Sequence, residues 1–297
     1  MTPGPPTNSI LMSTGNLARR RLAGRCFSFL VAGCAYCTIA ILAVLIIQIL
    51  GKGFPLLTWD FISSFPSRKA EDAGIKAALW GTFWLMSLTM AIATPVGIAA
   101  AIYLEEFARK GKLSTFIEVN ISNLAGVPSI IYGILGLALF VRAFQLDRSL
   151  IAGALTMALL ILPVVIISAR EAIRSVPSSL REASFGLGAT RWQTTWNVVL
   201  PSAFPGIMTG LILSTSRAIG ETAPLIMIGA LTYIAFTPRS PMDAYTAMPI
   251  QVYDWASRPQ PEFQVNAAAG IVVLMAILLM LNGVAIWLRH RSSKKAH

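Results

Sequence analysis

Charge is what this sequence has least of. Lys, Arg, Asp and Glu make up 12% of its 297 residues, about half the share found in an ordinary soluble domain, while 55% are hydrophobic. So few polar groups cannot cover a globular surface, which excludes the soluble classes and indicates an integral membrane protein. Histidine is almost missing: His290 and His297 both lie in the basic C-terminal stretch and read as solvated ends. No His-rich, Ser-His or paired-carboxylate constellation is present, and the internal acidic residues other than Glu221 fall between the apolar runs. A membrane enzyme or signalling receptor is therefore the weaker class of reading. Cysteine is confined to Cys26, Cys34 and Cys37 in one apolar run with no His or carboxylate beside them. They read as buried, inert thiols rather than a zinc or redox centre. A phosphate-binding G-x-x-x-x-G-K-[ST] string is also missing, because Gly51-Lys52 and Gly111-Lys112 lack the upstream glycine. ATP hydrolysis is thus not expected of this chain.

What the sequence does have is long apolar runs. Crossing a bilayer takes roughly 20 residues, and six windows qualify. Five carry no charge: Cys26 to Leu50, Ala77 to Leu104, Val119 to Val141, Ser149 to Ala169 and Phe263 to Leu288. The sixth, Ser202 to Phe236, holds Arg217 and Glu221. The runs are continuous rather than alternating, so the expected fold is all-α with six transmembrane helices. Residues 1–25 read as a disordered basic tail and 26–50 as a retained first transmembrane helix, too long for the roughly 7–15 apolar residues of a secretion signal. An external loop follows over 51–76, with Trp59, Phe61 and Phe65 suited to the membrane interface. Residues 77–288 form the main transmembrane domain, with an external loop at 237–262 that carries Tyr245, Tyr253 and Trp255. Residues 289–297 form a basic tail.

The domain is interrupted by the polar stretch 170–201, REAIRSVPSSLREASFGLGATRWQTTWNVVLP. Pro177 precedes or opens a helix, and Ser179 three residues before Glu182 has capping-box spacing, so a short helix is expected from near Leu180. Gly186 and Gly188 end it, because glycine accepts the positive φ of a helix terminus. A second amphipathic segment, Trp192 to Leu200, leads into Pro201. The result is a surface helix-turn-helix suited to a groove on a soluble partner. Placing it in the cytoplasm puts most Lys and Arg on that side with both termini, in keeping with the positive-inside rule. The net charge of +11 then reads as anchorage to membrane lipids and not as nucleic-acid binding. Arg170 and Arg174 serve either the cytoplasmic helix end or such anchorage. Pro95, Pro128 (after Gly126), Pro163 and Pro224 fall inside four consecutive windows, as in a bundle lining a pathway. The loop Glu105 to Glu118 adds a minor charged surface on the same side.

Arg217 and Glu221 are four residues apart and share a helix face. Counting from Gly206 places the guanidinium near mid-membrane, where a charge costs at least about 2.5–3.5 kcal/mol and so faces a bundle interior or wet cavity. One reading makes them a mutually neutralising structural pair. The other makes Arg217 a fork of donors for a tetrahedral oxyanion. Glu221 then steadies the fork and accepts a hydrogen bond from an anion that still carries a proton, favouring hydrogen phosphate over sulfate. Ser214, Thr215, Ser216 and Thr222 offer hydroxyls to either reading.

Glu182-Ala183-Ser184, Gly188 and Val198-Val199-Leu200-Pro201 stand at the spacing E-A-A-x3-G-x9-I-x-L-P. This resembles the EAA loop of binding-protein-dependent ABC importer permeases, with Ser184 and Val198 as departures. The strings Arg217-Ala218-Ile219-Gly220-Glu221-Thr222-Ala223-Pro224 and Asn123-Leu124-Ala125-Gly126-Val127-Pro128-Ser129, with Leu162-Pro163, are similar to the phosphate-import permeases of the PstA family. The resemblance implies a type I importer (MetI-like) fold in a bacterial inner membrane. It also implies a homologous second permease (PstC-like), two ATPase subunits (PstB-like) that bind ATP and Mg, and an external phosphate-binding protein (PstS-like). No cofactor is implied on this chain. Ser179, Glu182, Ala183, Ser184, Gly188, Leu200 and Pro201 become the ATPase-coupling residues, and Arg217, Glu221, Thr222 and Ser214 the substrate path. The alternative is an importer permease for another oxyanion or small solute, such as molybdate, sulfate or phosphonate.

Overall fold

The computed structural model describes residues 17–109 and 111–293. The expected tail over 1–16, Lys110 and the terminal residues 294–297 lie outside them. The chain divides into two compact units, Met1–Gly51 and Lys52–His297.

The described part of the first unit is helical throughout, as part of α1 (Leu17–Gly53). The helix starts upstream of the expected Cys26, so residues 17–25 are not a disordered tail. Leu17 to Arg25 is rich in Leu, Ala and Arg, all strong helix formers, and the apolar run behind it supplies the nucleus. Cys26, Cys34 and Cys37 are exposed, which corrects their expected burial. A helix this apolar is solvated by lipid tails, so hydrophobicity alone does not put its side chains inside the protein.

The second unit opens with a 3-10 turn (Phe54–Leu56) and α2 (Trp59–Ser63), whose N-cap Thr58 Oγ1 accepts from the Phe61 N–H at 3.2 Å. α3 (Lys76–Ile102) ends in a π-helical turn, Tyr103–Phe107. The expected straight span Val119 to Val141 is instead α4 (Lys112–Ala125) and α5 (Ser129–Gly136), the latter extended by a π-helical segment to Ala143, with a bend of 99° between them. Gly126 caps α4 and Pro128 caps α5. Proline pushes the residue before it out of helical geometry, so the chain bends at Val127 although every residue there is apolar.

α6 (Leu150–Arg174) starts on Ser149, whose Oγ accepts from the Ala152 N–H at 3.3 Å. Then come α7 (Ser178–Gly186) and α8 (Arg191–Thr194), which runs through a π-helical segment, Thr195–Val199, into α9 (Leu200–Ile219). α10 (Ala223–Ile228), α11 (Met248–Ser257) and α12 (Pro261–Ser293) complete the chain. No strand occurs among the described residues, so the fold is all-α. Five helices are long and apolar enough to cross a membrane, and the bent α4–α5 pair makes six if it counts as one span. Pro95 and Pro163 lie inside α3 and α6, whereas Pro128 and Pro224 stand at helix starts, where the missing N–H costs nothing.

α6 is the hub. It packs against α3 on one side and α9 on the other, and 67% of its apolar window is buried. Met157, Ile161 and Val165 meet Leu85 and Ala93 of α3 and Ile207 of α9 in the main core. A second cluster gathers Phe61, Ile75, Met248, Trp255 and Phe263. One expectation changes here. Phe61 leaves the interface for the core, its ring 5.9 Å from that of Trp255. In the loop over 237–262, Tyr245 and Trp255 are fully buried, leaving Tyr253 as the exposed aromatic of the three. Burial pushes the Tyr245 hydroxyl above the ordinary tyrosine range, while backbone N–H groups of Arg239 and Ser240 hold the Asp243 carboxyl below its own. Thr82 Oγ1 of α3 accepts from the Met248 N–H at 2.8 Å, tying this loop to the bundle.

Removing the Trp255 side chain empties the centre of the second cluster. A Trp→Ala change in a core costs about 3–5 kcal/mol, and Trp255→Ala is expected to lower the apparent melting temperature in detergent by roughly 6–20 °C. An unchanged melting curve would remove the loop from the folded core.

Candidate functional site

The polar break after α9 arises from its sequence. Gly220 caps the helix (φ −84°, ψ −7°), Glu221 and Thr222 follow, and Pro224 opens α10. The continuous helix expected over Ser202 to Phe236 is therefore interrupted, and Arg217 stands in the last turn of α9 instead of at mid-helix. The ion pair survives the break: Arg217 Nε lies 3.5 Å from Glu221 Oε1. Half of the Arg217 side chain is exposed (51%) against 18% for Glu221, so the carboxylate is sheltered while the Arg217 side chain stays half open. Glu221 is its one ionic partner among the described residues.

Of the hydroxyls, Ser214 is buried and donates to the Gly210 carbonyl at 2.8 Å, within its own helix. Thr215 donates to the Leu211 carbonyl at 2.7 Å. Thr222 is half-buried beside Glu221 and makes no side-chain cap bond to α10. Ser216 donates to Asn282 Oδ1 of α12 at 2.6 Å. Asn282 escaped the sequence reading, and its signal was the one amide in the second half of the last apolar window. α10 is set down on α5 at Gly133, where an added Cβ would come 2.7 Å from the Pro224 Cα. Only a residue without a side chain lets the two short helices approach this closely.

The second element is the hairpin α7–α8. Its first helix begins at Ser178, not near Leu180, with Pro177 as N-cap and no side-chain cap. Ser179 is thus already inside the helix, and the capping box expected between it and Glu182 does not form. The box is found eleven residues on (Ser179 to Thr190), where Thr190 Oγ1 accepts from the Gln193 N–H at 3.3 Å and Gln193 Oε1 accepts from the Thr190 N–H at 2.9 Å. Between the helices Gly188 adopts φ +84°. Ser184 and Thr194 hydroxyls meet at 2.9 Å and lock the two arms. Glu182, Ala183 and Pro201 are exposed and Leu200 is half-buried. Leu187 at the turn is 90% exposed, with Leu180, Phe185, Trp192 and Trp196 also open to the surface. Trp192 and Trp196 stack at 5.6 Å. Apolar groups at the tip of a polar hairpin are what a surface does when a partner is to cover it.

Beneath the hairpin lies an ion network not visible from the spacing of motifs. Arg170 reaches Glu118 at 2.8 Å and Glu105 at 3.4 Å, Arg174 reaches Glu105 at 3.1 Å, and Arg181 reaches Glu106 at 3.0 Å. Arg170 lines a cavity of about 320 Å³ with Glu118, Ser122, Asn123 and Arg174. Headgroup anchorage is overturned for Arg170, whose side chain is 11% exposed and spent on carboxylates. The loop Glu105 to Glu118 is correspondingly no separate surface: Glu105 and Glu106 end α3 and Glu118 lies on α4. Matching its acids against the arginines of 170–181 was the signal available.

Apolar helices long enough to cross a membrane, packed around a central helix and interrupted by a surface hairpin, have the architecture of a membrane transport permease. Residues 93–295 match the family described as binding-protein-dependent transport system inner membrane component, and the chain belongs to that family. It is 35% identical to the probable ABC transporter permease protein YqgI of Bacillus subtilis, over 88% of this chain and 93% of that protein. It is 30% identical to the phosphate transport system permease protein PstA of Haemophilus influenzae, over 85% and 90%. A solved bacterial alginate ABC transporter, in complex with an alginate pentasaccharide-bound periplasmic protein, shares the fold at TM-score 0.64 and 17% identity, over 92% of this chain and 98% of that one. This chain is therefore a multi-pass membrane permease of the type I ABC importer fold.

Proposed function

We propose that the chain is the permease subunit of an ATP-driven phosphate importer, forming one half of the translocation path. The observation that carries this reading is the Arg217–Glu221 pair at the α9 break, the only charges in the apolar stretch Ser202 to Phe236. A guanidinium fork matches two oxygens of a tetrahedral oxyanion. The carboxylate beside it repels a fully ionised anion and accepts a hydrogen bond from one that keeps a proton. Hydrogen phosphate has that proton at neutral pH and sulfate does not. Several relatives of this length and identity are named as phosphate permeases, which supports the same substrate.

The proposed assembly comprises a homologous second permease, two ATPase subunits that carry the ATP and Mg sites themselves and dock at the hairpin, and an external phosphate-binding protein. The hairpin faces the cytoplasm in this assembly. In the reconstituted importer, labelled phosphate uptake is expected to persist in a tenfold excess of sulfate or molybdate. Equal transport of either competitor, with equal stimulation of ATP hydrolysis, would replace phosphate by a broader oxyanion substrate.

A further inference from the structure

The hairpin must pass force to the spanning helices for any docked motor to matter, and only one ion pair among the described residues joins them. It is made by Arg181, on α7 directly before Glu182. Its Nε and Nη2 donate to Glu106 Oε1 at 3.2 and 3.0 Å, Nη2 donates to the Ile173 carbonyl at 2.8 Å, and Nη1 donates to the Val176 carbonyl. One guanidinium therefore bonds three pieces of chain: the hairpin that carries it, the C-terminal end of α6, and the π-turn that ends α3.

We infer that Arg181 is the positioning residue that transmits hairpin movement into α3 and α6 together. Four features support this. The Arg181 and Glu106 side chains are only 19% and 9% exposed, so the pair is weakly screened and neither charge is easily hydrated once separated. The carbonyls it binds lie where α6 runs out of N–H partners, and a cation there is favoured by the helix dipole. The planar fork fixes direction as well as distance, which a single ammonium on a flexible stem does not. α3 and α6 are also the most extensively packed helix pair in the fold, so a displacement applied at their shared end moves them as one body. By contrast, Arg170 and Arg174 tie α6 to α3 and α4 without touching the hairpin.

The inference rests on the hairpin being the ATPase docking element, and the experiment separates the two. The complete importer is reconstituted with Arg181→Gln, Arg181→Lys, Glu106→Gln or Leu187→Glu, and four readouts are taken: ATPase subunits retained on purification, melting temperature, ATP hydrolysis, and solute moved per ATP. Arg181→Gln and Glu106→Gln are expected to retain the ATPase subunits and hydrolysis while solute moved per ATP falls at least tenfold. Arg181→Lys keeps the charge and recovers part of that ratio. A ratio within twofold of wild type in Arg181→Gln overturns the inference, as does a loss that merely follows lower melting temperature or poorer assembly. Leu187→Glu tests the docking reading alone: ATPase subunits retained at full occupancy with normal uptake would refute docking, and the inference with it.

Discussion

Arg217→Gln in the assembled importer is expected to cut phosphate uptake about a hundredfold while assembly and melting temperature stay near wild type. A hydrogen bond to an ionised group contributes about 1.5–3 kcal/mol, and the half-exposed guanidinium belongs at the lower end. Two such bonds from one fork come to about 3 kcal/mol, roughly two powers of ten in rate. Stability is little affected because the side chain is 51% exposed and its pair with Glu221, at 3.5 Å, is long. Glu221→Gln separates the two carboxylate roles. Glutamine still accepts a hydrogen bond but no longer repels a fully charged anion, so phosphate uptake falls about tenfold while sulfate, excluded before, begins to compete. Full uptake by both variants would reduce the pair to a structural clasp.

The spanning helices were legible because hydropathy averages over about 20 residues and a bilayer demands that length. What that averaging conceals is geometry within a run. Val119 to Val141 and Ser202 to Phe236 each read as one helix, yet the first bends by 99° at Pro128 and the second breaks at Gly220. The signals were the prolines, taken as kinks inside helices when Pro128 and Pro224 in fact start new ones. The break leaves Arg217 in the last turn of α9, so the pair's residue types were legible while its position along the helix was misjudged. The capping-box misassignment has a similar origin. Ser179–Glu182 and Thr190–Gln193 carry the same spacing, and Pro177 two residues earlier had already started the helix.

Phe61 misled for another reason. It sits in a polar loop, and a ring in a loop near a membrane suits its interface. Here the loop folds back and packs the ring with Trp255 in a second core cluster. The ion network was the largest omission. Its partners lie 52 (Glu118 to Arg170) to 75 residues apart in sequence, beyond any local pattern. Opposite charge on two polar segments was the only clue.

Gly188→Val is expected to leave the importer assembled but to lower uptake per ATP by an order of magnitude or more. The turn requires φ +84° at this position, a left-handed conformation that costs an ordinary residue roughly 1–2 kcal/mol and a β-branched one more. Space is not the obstacle, since nothing lies within 4 Å of an added Cβ. Strain alone therefore acts, and it acts on the bonds that hold the tip: Gly188 N–H to the Phe185 carbonyl at 2.9 Å, Ala189 N–H to the Ser184 carbonyl at 3.1 Å and the Ser184–Thr194 contact at 2.9 Å. The chain relieves the strain by opening this turn, because the cores around α6 are too well packed to yield. Leu187 and Phe185 then point in new directions while both arms of the hairpin persist. Gly188→Asn is the control, since asparagine tolerates the left-handed region at little cost. Its uptake per ATP should remain within about threefold of wild type, a loss under 1 kcal/mol. If valine and asparagine are equally well coupled, the turn geometry is irrelevant to transmission; if both fail alike, the position demands an absent side chain and not a positive φ.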